Sequence, residues 1–397
     1  MSALLAPADE AGVAAAVAAA TAAREPLAIE GNGSKRRQLR PVQAARVLST
    51  RNLTGITLYR PTELIISARA GTKLAEIEAV LAEGGQMIAP EPPSAGCLFG
   101  AGAQPTVGGV VATNLSGPRR ITVGAIRDHV MGIRFVNGAG EVVRSGGRVL
   151  KNVTGLDLCK LLSGSHGTLG VITEVTMKVL PAPETSATLA IRVPDLAAGV
   201  RALSAGLGSP YGVTGAALLP DGLPAQGMQG PVAVLRLEDF ASFVAYRVGR
   251  LRDELAPHGD ATLIEDAASR AVWRGVRDIE LGAAAEDAIW RISVRPSAGP
   301  RVAAVLGAAF GARLLLDWGG GLVWAAGPAT EAAHRAVVQA ATEARGTFAL
   351  VRAPDALRAA VAVLPDEQPA LAAIGARVKA ALDPAGVLNP GRMRAGF

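Results

Sequence analysis

Gly100 and Gly102, then Gly108 and Gly109, flank Pro105 and strip side chains from a backbone that can thereby turn sharply and meet a ligand through bare peptide N–H groups. Thr113, Asn114 and Ser116 follow as short neutral donors, and Arg119 and Arg120 add guanidinium forks matched to phosphate oxygens. Gly31-Asn32-Gly33-Ser34-Lys35 is a second such stretch, offering glycine amides, a hydroxyl and an ammonium to phosphate oxygens in a concave turn. Around Gly164, Gly167 and Gly170 a third tight loop precedes a strand. Together they suit a large phosphorylated cofactor. Any one of them alone reads equally as a solvated Gly-rich turn.

Elements must hold these loops. Acidic Asp9 and Glu10 oppose the partial positive end of an N-terminal helix and argue against a secretory signal, which wants positive charge there. Strands are expected over 26–30, 53–59 and 63–70, and a helix over 73–83 stopped by Gly84-Gly85. A hairpin follows from 130–136 and 141–144 around Asn137-Gly138. In the strand that ends this region, Val171, Thr173, Val175, Met177 and Val179 alternate with Glu174, Thr176 and Lys178, the pattern of a half-buried strand. Past Pro181-Ala182-Pro183 the glycine loops give way to strands near 188–193, 216–219, 232–237, 289–294, 313–317, 322–325 and 347–351. Helices are expected over 196–207, 242–255, 301–309 and 331–343. Two ferredoxin-like halves would join these into one antiparallel sheet. A last helix over 369–382, with Pro369 in its first turn, leads to a return segment.

TVGGVVATNLSG at 106–117 and GTLGVITEVT at 167–176, with PLAIEGNGSK at 26–35 ahead of them, resemble three signatures of the flavin-binding domain of vanillyl-alcohol oxidase and para-cresol methylhydroxylase type. KNVTGLDLCKLL at 151–162 and LDPAGVLNPGRM at 382–393 are similar to the E-subunit family of bacterial glycolate oxidases. The resemblance implies an α+β fold: a two-lobed FAD-binding domain over 1–182, a ferredoxin-like antiparallel-sheet cap over 183–380, and a C-terminal return segment over 381–397 packing on the FAD domain. It implies FAD held by Gly31, Asn32, Gly33, Ser34, Lys35, Gly102, Pro105, Thr106, Gly108, Gly109, Thr113, Asn114, Ser116, Gly117, Gly167, Gly170 and Ile172. Relatives that tether flavin often carry a histidine near the 31–35 loop; none lies there, so the expected attachment is non-covalent. The implied activity is that of an FAD-dependent oxidoreductase subunit, taking part in oxidation of glycolate to glyoxylate within a complex. Its implied partners are a catalytic flavin subunit and an iron–sulfur subunit. A free-standing FAD oxidase of another 2-hydroxy acid or alcohol is the alternative, and a scaffold that has lost its flavin is a third reading.

The 397 residues, half of them hydrophobic, can bury a large core. A net charge of +6 does not make a nucleic-acid protein here, because the arginines are scattered and only three tyrosines and four tryptophans are available for base stacking. No run of about 18 apolar residues suggests a spanning helix, so the expected location is cytoplasmic, or loosely attached to the inner face of a membrane. Cys97 and Cys159 fit no metal spacing.

Catalytic residues are harder to find. His258 and His334 fall far apart in the cap without ligand spacing and read as surface residues, and His129 reads as structural. Arg119 and His166 are the catalytic candidates: by resemblance, His166 stands where hydroxy-acid-oxidising relatives carry glutamate, and Leu156 where they carry tyrosine. Trp273, Trp290, Trp318 and Trp324, with Asp317, Arg291 and Arg295, would line a pocket for a small anion, and core packing accounts for them equally well.

Overall fold

A computed structural model describes residues 3–100, 102, 104–147 and 155–396. Residues 151–154 of the KNVTGLDLCKLL motif therefore lie outside it, as do Ala101 and Ala103, and the side chain of Cys97 is not described. Two compact units are present. Unit one comprises Met1–Ser116, Gly124–Ala182 and Asp366–Phe397; unit two comprises Gly117–Val123 and Pro183–Pro365.

Unit one begins with a three-stranded parallel sheet in the order β1 (Ala3–Leu5), β3 (Arg46–Ser49), β2 (Leu27–Glu30). β1 and β3 went unrecognised in the sequence because each is only three or four residues long, too short for a period to register. The helix Glu10–Ala23 covers this sheet; the Asp9 carboxylate accepts from Gly12 N at 2.8 Å, and Val13, Val17 and Ala20 form one buried stripe. Glu10 bonds Arg134 and Thr173 besides facing the helix start, and those bonds hold its carboxyl below the usual range against the opposing cost of burial.

The second lobe is an antiparallel sheet in the order β4 (Ile56–Arg60), β5 (Ile65–Arg69), β9 (Val171–Lys178), β7 (Val130–Val136), β8 (Val142–Gly146). A short ribbon pairs β6 (Gln86–Met87) with β10 (Leu180–Pro181). The half-buried reading of β9 needs correction: it is the central strand, and Thr176, expected outside, is buried against Ser67 at 2.8 Å. Phe135 pairs with Ile172 but Arg134 pairs with Glu174, so Thr173 is an extra residue, a bulge that breaks the alternation. Ile172 consequently joins Val175 and Met177 in one core, while Val171 packs with Val13, Leu27 and Leu388 in the other.

Unit two carries one antiparallel eight-stranded sheet of β11 (Thr185–Arg192), β12 (Val213–Leu219), β13 (Val232–Asp239), β14 (Ala261–Glu265), β15 (Ala288–Ser293), β16 (Arg313–Asp317), β17 (Leu322–Gly327) and β18 (Thr347–Arg352). Its spatial order is β14-β11-β13-β12-β16-β17-β15-β18, two ferredoxin-like halves joined where Leu218 meets Leu316. β14 and the helix Asp266–Asp278 were absent from the sequence reading, since β14 is a mostly exposed edge strand without alternation.

Two of the expected boundaries move. The helix Pro369–Leu382 falls in unit one, not in the cap, and the segment Gly117–Val123 falls in unit two. Lys379 explains the first, because its buried ammonium donates to Thr168 O at 2.7 Å, Asp383 Oδ2 at 2.6 Å and Leu388 O at 3.0 Å. Removing one member of such a buried pair costs about 3 kcal/mol or more.

Candidate functional site

The loop that leaves β2 is held open by side chains around it. Ser49 Oγ donates to Gly31 O at 2.6 Å, Asn32 Nδ2 to Gln104 O at 3.3 Å, and Gly33 takes a φ of 73° that favours glycine. Glu30 is bridged by the Arg36 guanidinium at 2.7 and 2.8 Å, so the carboxylate nearest the loop is already paired. Arg392 of the return segment donates to the carbonyls of Lys35, Arg36 and Arg40, which fixes the far side.

Against this loop stands the helix Val107–Thr113, where the sequence reading expected a bare glycine turn. Thr106 caps it, its Oγ1 accepting from Gly109 N at 3.3 Å, and Lys73 pairs with Thr106 across an isolated bridge. The two glycines of the helix differ in purpose. A methyl group at Gly108 would lie 2.7 Å from Ala70 Cβ, so Gly108 lets the helix sit on the backbone just past the end of β5. At Gly109 it would meet only Thr106 Oγ1 at 3.3 Å and Lys35 Nζ at 4.0 Å. Gly31 is equally close, since a methyl there would lie 2.3 Å from Thr106 Oγ1.

The third loop closes the group. Gly164 N donates to Val111 O at 3.1 Å and His166 N to Ala112 O at 2.9 Å, tying it to the end of the same helix. Asn389 joins it to β2, donating to His166 O at 2.7 Å and accepting from Ile29 N at 2.8 Å. His166 has a φ of 52° and Gly167 of 72°, consecutive left-handed residues that a strand entry would not need.

Electrostatics single out Lys35. The residue is half-buried overall, yet its Nζ is out of contact with solvent and has no hydrogen-bond partner among the described residues. Burial lowers its pKa to about 8. His166, pressed by burial and by the charges of Arg392 and Lys35, falls to about 3 and is neutral at pH 7. Ser165 Oγ and Gln38 Oε1 are also buried and unpartnered. An unpaired buried cation costs stability unless an anion arrives. Lys35, the Gly31–Ser34 amides and the open Gly109 position therefore fit the pyrophosphate of FAD.

Other expected site residues lie elsewhere or are already engaged. Thr113 donates to Gly109 O, Asn114 accepts from Arg127 N, and Ser116 Oγ accepts from Ile126 N, so all three side chains build the turn after the helix. Gly170 gives room to the Phe135 ring and Ile172 is core. Gly102, at a φ of 118°, and Pro105, whose carbonyl accepts from Leu74 N, shape the approach to Thr106. Gly117 belongs to unit two, where its carbonyl accepts from Trp318 Nε1 at 3.2 Å. Arg119 is there too, committed to Glu238 by bonds of 2.6 and 2.9 Å, which removes it from the phosphate and catalytic candidates. His334, read as a surface residue, is buried, with Nδ1 accepting from Trp290 Nε1 at 3.2 Å. Burial raises the Cys159 thiol to about 11, so it is no nucleophile. Sequence reasoning missed Asn389 and Arg392, although NPGR stood inside a quoted motif; nothing in that tetrapeptide says which loop it returns to.

The family described as FAD binding domain matches residues 1–146. Glycolate oxidase subunit GlcE of Escherichia coli (strain K12) is 35% identical over 382 residues, 94% of this chain and 93% of that protein. Glycolate oxidase subunit GlcD of Bacillus subtilis (strain 168) is 39% identical over 99 residues, 25% of this chain and 21% of that protein. Among solved structures, alkyldihydroxyacetonephosphate synthase superposes with a TM-score of 0.70 at 16% identity, covering 98% of this chain and 76% of that one, which is a likeness of fold.

Proposed function

The chain belongs to the GlcE family of FAD-binding glycolate oxidase subunits, and from that membership we propose that it is the FAD-carrying accessory subunit of a complex that oxidises glycolate to glyoxylate. It is an FAD-dependent oxidoreductase of α+β fold. The observation that carries the cofactor reading is the Lys35 ammonium, buried without a partner where the 31–35 loop meets the helix that Thr106 caps. Lys35, Gly31–Ser34, Thr106 and Gly109 hold the pyrophosphate; Asn389 and Arg392 keep the loops around it in place. When bound, FAD supplies the two-electron acceptor that no side chain provides. A catalytic flavin subunit and an iron–sulfur subunit complete the complex and take the electrons onward. No helix among the described residues is long and apolar enough to cross a membrane; the complex works in the cytoplasm or against the inner face of the membrane.

Two measurements test this. The purified chain is expected to be yellow, with one FAD per chain, and acid precipitation to release all the colour; flavin left in the pellet would mean a covalent link. Mixed anaerobically with glycolate, the lone chain should bleach at least about a hundredfold more slowly than the reconstituted complex. A positioned general base contributes on the order of 10² to 10⁴ in rate, and His166 near 3 is a poor base at neutral pH. Equal bleaching in both samples would favour a free-standing oxidase.

A further inference from the structure

Unit two has two unlike sheet faces. Leu218 and Leu235 pack under the helix Leu196–Gly208, where methyl groups at Gly199 and Gly206 would collide with them. Register then assigns Arg236 and Glu238 to the opposite face and, through Leu315↔Trp324 and Trp324↔Arg291, Arg291 as well. Gly117–Val123 belongs to the same unit and docks on this face, with Arg119 and Arg236 both bonded to Glu238. That carboxylate is satisfied: burial opposes its charge, but the two arginines outweigh burial and hold its carboxyl below the usual range.

Arg291 is not satisfied. Its guanidinium makes no hydrogen bond or ion pair to any described residue; its Cζ lies 5.1 Å from the centre of the Trp318 ring, and Arg120 Cζ lies 4.7 Å from the same ring. Burial and repulsion from Arg120 pull its pKa down to about 10, so it remains charged at neutral pH. The ring itself is held deliberately. Trp318 has a φ of 53°, its N–H donates to Asp317 Oδ1 at 2.7 Å, its indole N–H donates to Gly117 O, and Gly319-Gly320 continue the left-handed turn. A bulky side chain in that conformation is strained, and strain kept beside a half-buried guanidinium whose only described partner is an indole face points to a ligand.

We propose that Arg291, stacked on Trp318, is the binding group for a small monocarboxylate within unit two. One uncompensated positive charge matches one negative charge, the planar fork matches a carboxylate, and the indole offers an apolar wall for a one- or two-carbon body. The choice of glycolate as probe rests on the function proposed above.

Calorimetric titration of the flavin-loaded chain with glycolate, and separately with inorganic phosphate, tests the site. Wild type is expected to bind glycolate in preference to phosphate. Arg291→Met should weaken glycolate about tenfold or more, Arg291→Lys should recover part of the loss, and Arg301→Met, which breaks only an exposed pair with Glu343, should change nothing. Flavin content should be the same in all four proteins. Unchanged glycolate binding in Arg291→Met, no binding by wild type, or phosphate bound as well as glycolate would each overturn the proposal. Failure of the FAD reading looks different, since wild type would then carry no flavin whatever happens with glycolate.

Discussion

Gly109→Asp should give a colourless protein that folds at least as well as the wild-type apoprotein. Gly109 has no positive φ, and a side chain there meets only Thr106 Oγ1 and the unpaired Lys35 Nζ. An aspartate carboxylate would reach that ammonium and take the place of the pyrophosphate, so the cofactor would lose its cation and face a like charge. Losing a buried charge partner costs about 3 kcal/mol, and repulsion adds to it, so FAD affinity should fall more than about a thousandfold. The apoprotein should melt higher than wild-type apoprotein, because the orphan cation is paired. Gly108→Asp is the contrast: the collision with Ala70 would unseat the helix and cost the fold itself. Flavin content and thermal melts decide the matter, and a yellow Gly109→Asp would move the cofactor elsewhere.

Lys35→Met should weaken FAD by roughly a hundredfold to a thousandfold at pH 7, the worth of about 3 to 4 kcal/mol for a desolvated charge pair. The pH profile separates this from simple packing loss. Lys35 falls from 10.5 to about 8 in the folded chain, so the apoprotein carries its full destabilisation below pH 8. Between 8 and 10.5 the unfolded chain binds more protons than the folded one, and apoprotein stability rises with pH. FAD meets the charged form, so wild-type affinity should decline above about pH 8, approaching tenfold per unit, while Lys35→Met should be flat across that range. A wild-type profile without that decline would mean that Lys35 does not face the anion.

Much of the fold was legible because its signals are local. Asp9 and Glu10 mark the start of one helix, Gly84 stops another, and seven of the eight strands in unit two were expected to within a few residues. The three glycine-rich stretches were legible for the same reason, since residue types that free the backbone and donate to phosphate are visible one segment at a time.

What the sequence determined by itself is thus the set of parts: an α+β chain with three glycine-rich loops of a composition suited to phosphate, in order. Tertiary structure decided which parts meet. Thr113, Asn114 and Ser116 look like ligand donors in one dimension, but the turn after the helix consumes them. The bulge at Thr173 moves Ile172 and Val171 into different cores, an outcome set by how β9 pairs with β7. Arg119 and Arg291 are both arginines near glycines or tryptophans in the sequence; packing gives one a carboxylate at 2.6 Å and leaves the other with an indole. The return of Asn389 and Arg392 to loops more than 200 residues away was equally invisible. Pairing and burial of a charge depend on neighbours brought by the chain's long-range topology, and those neighbours are what turn a residue type into a site.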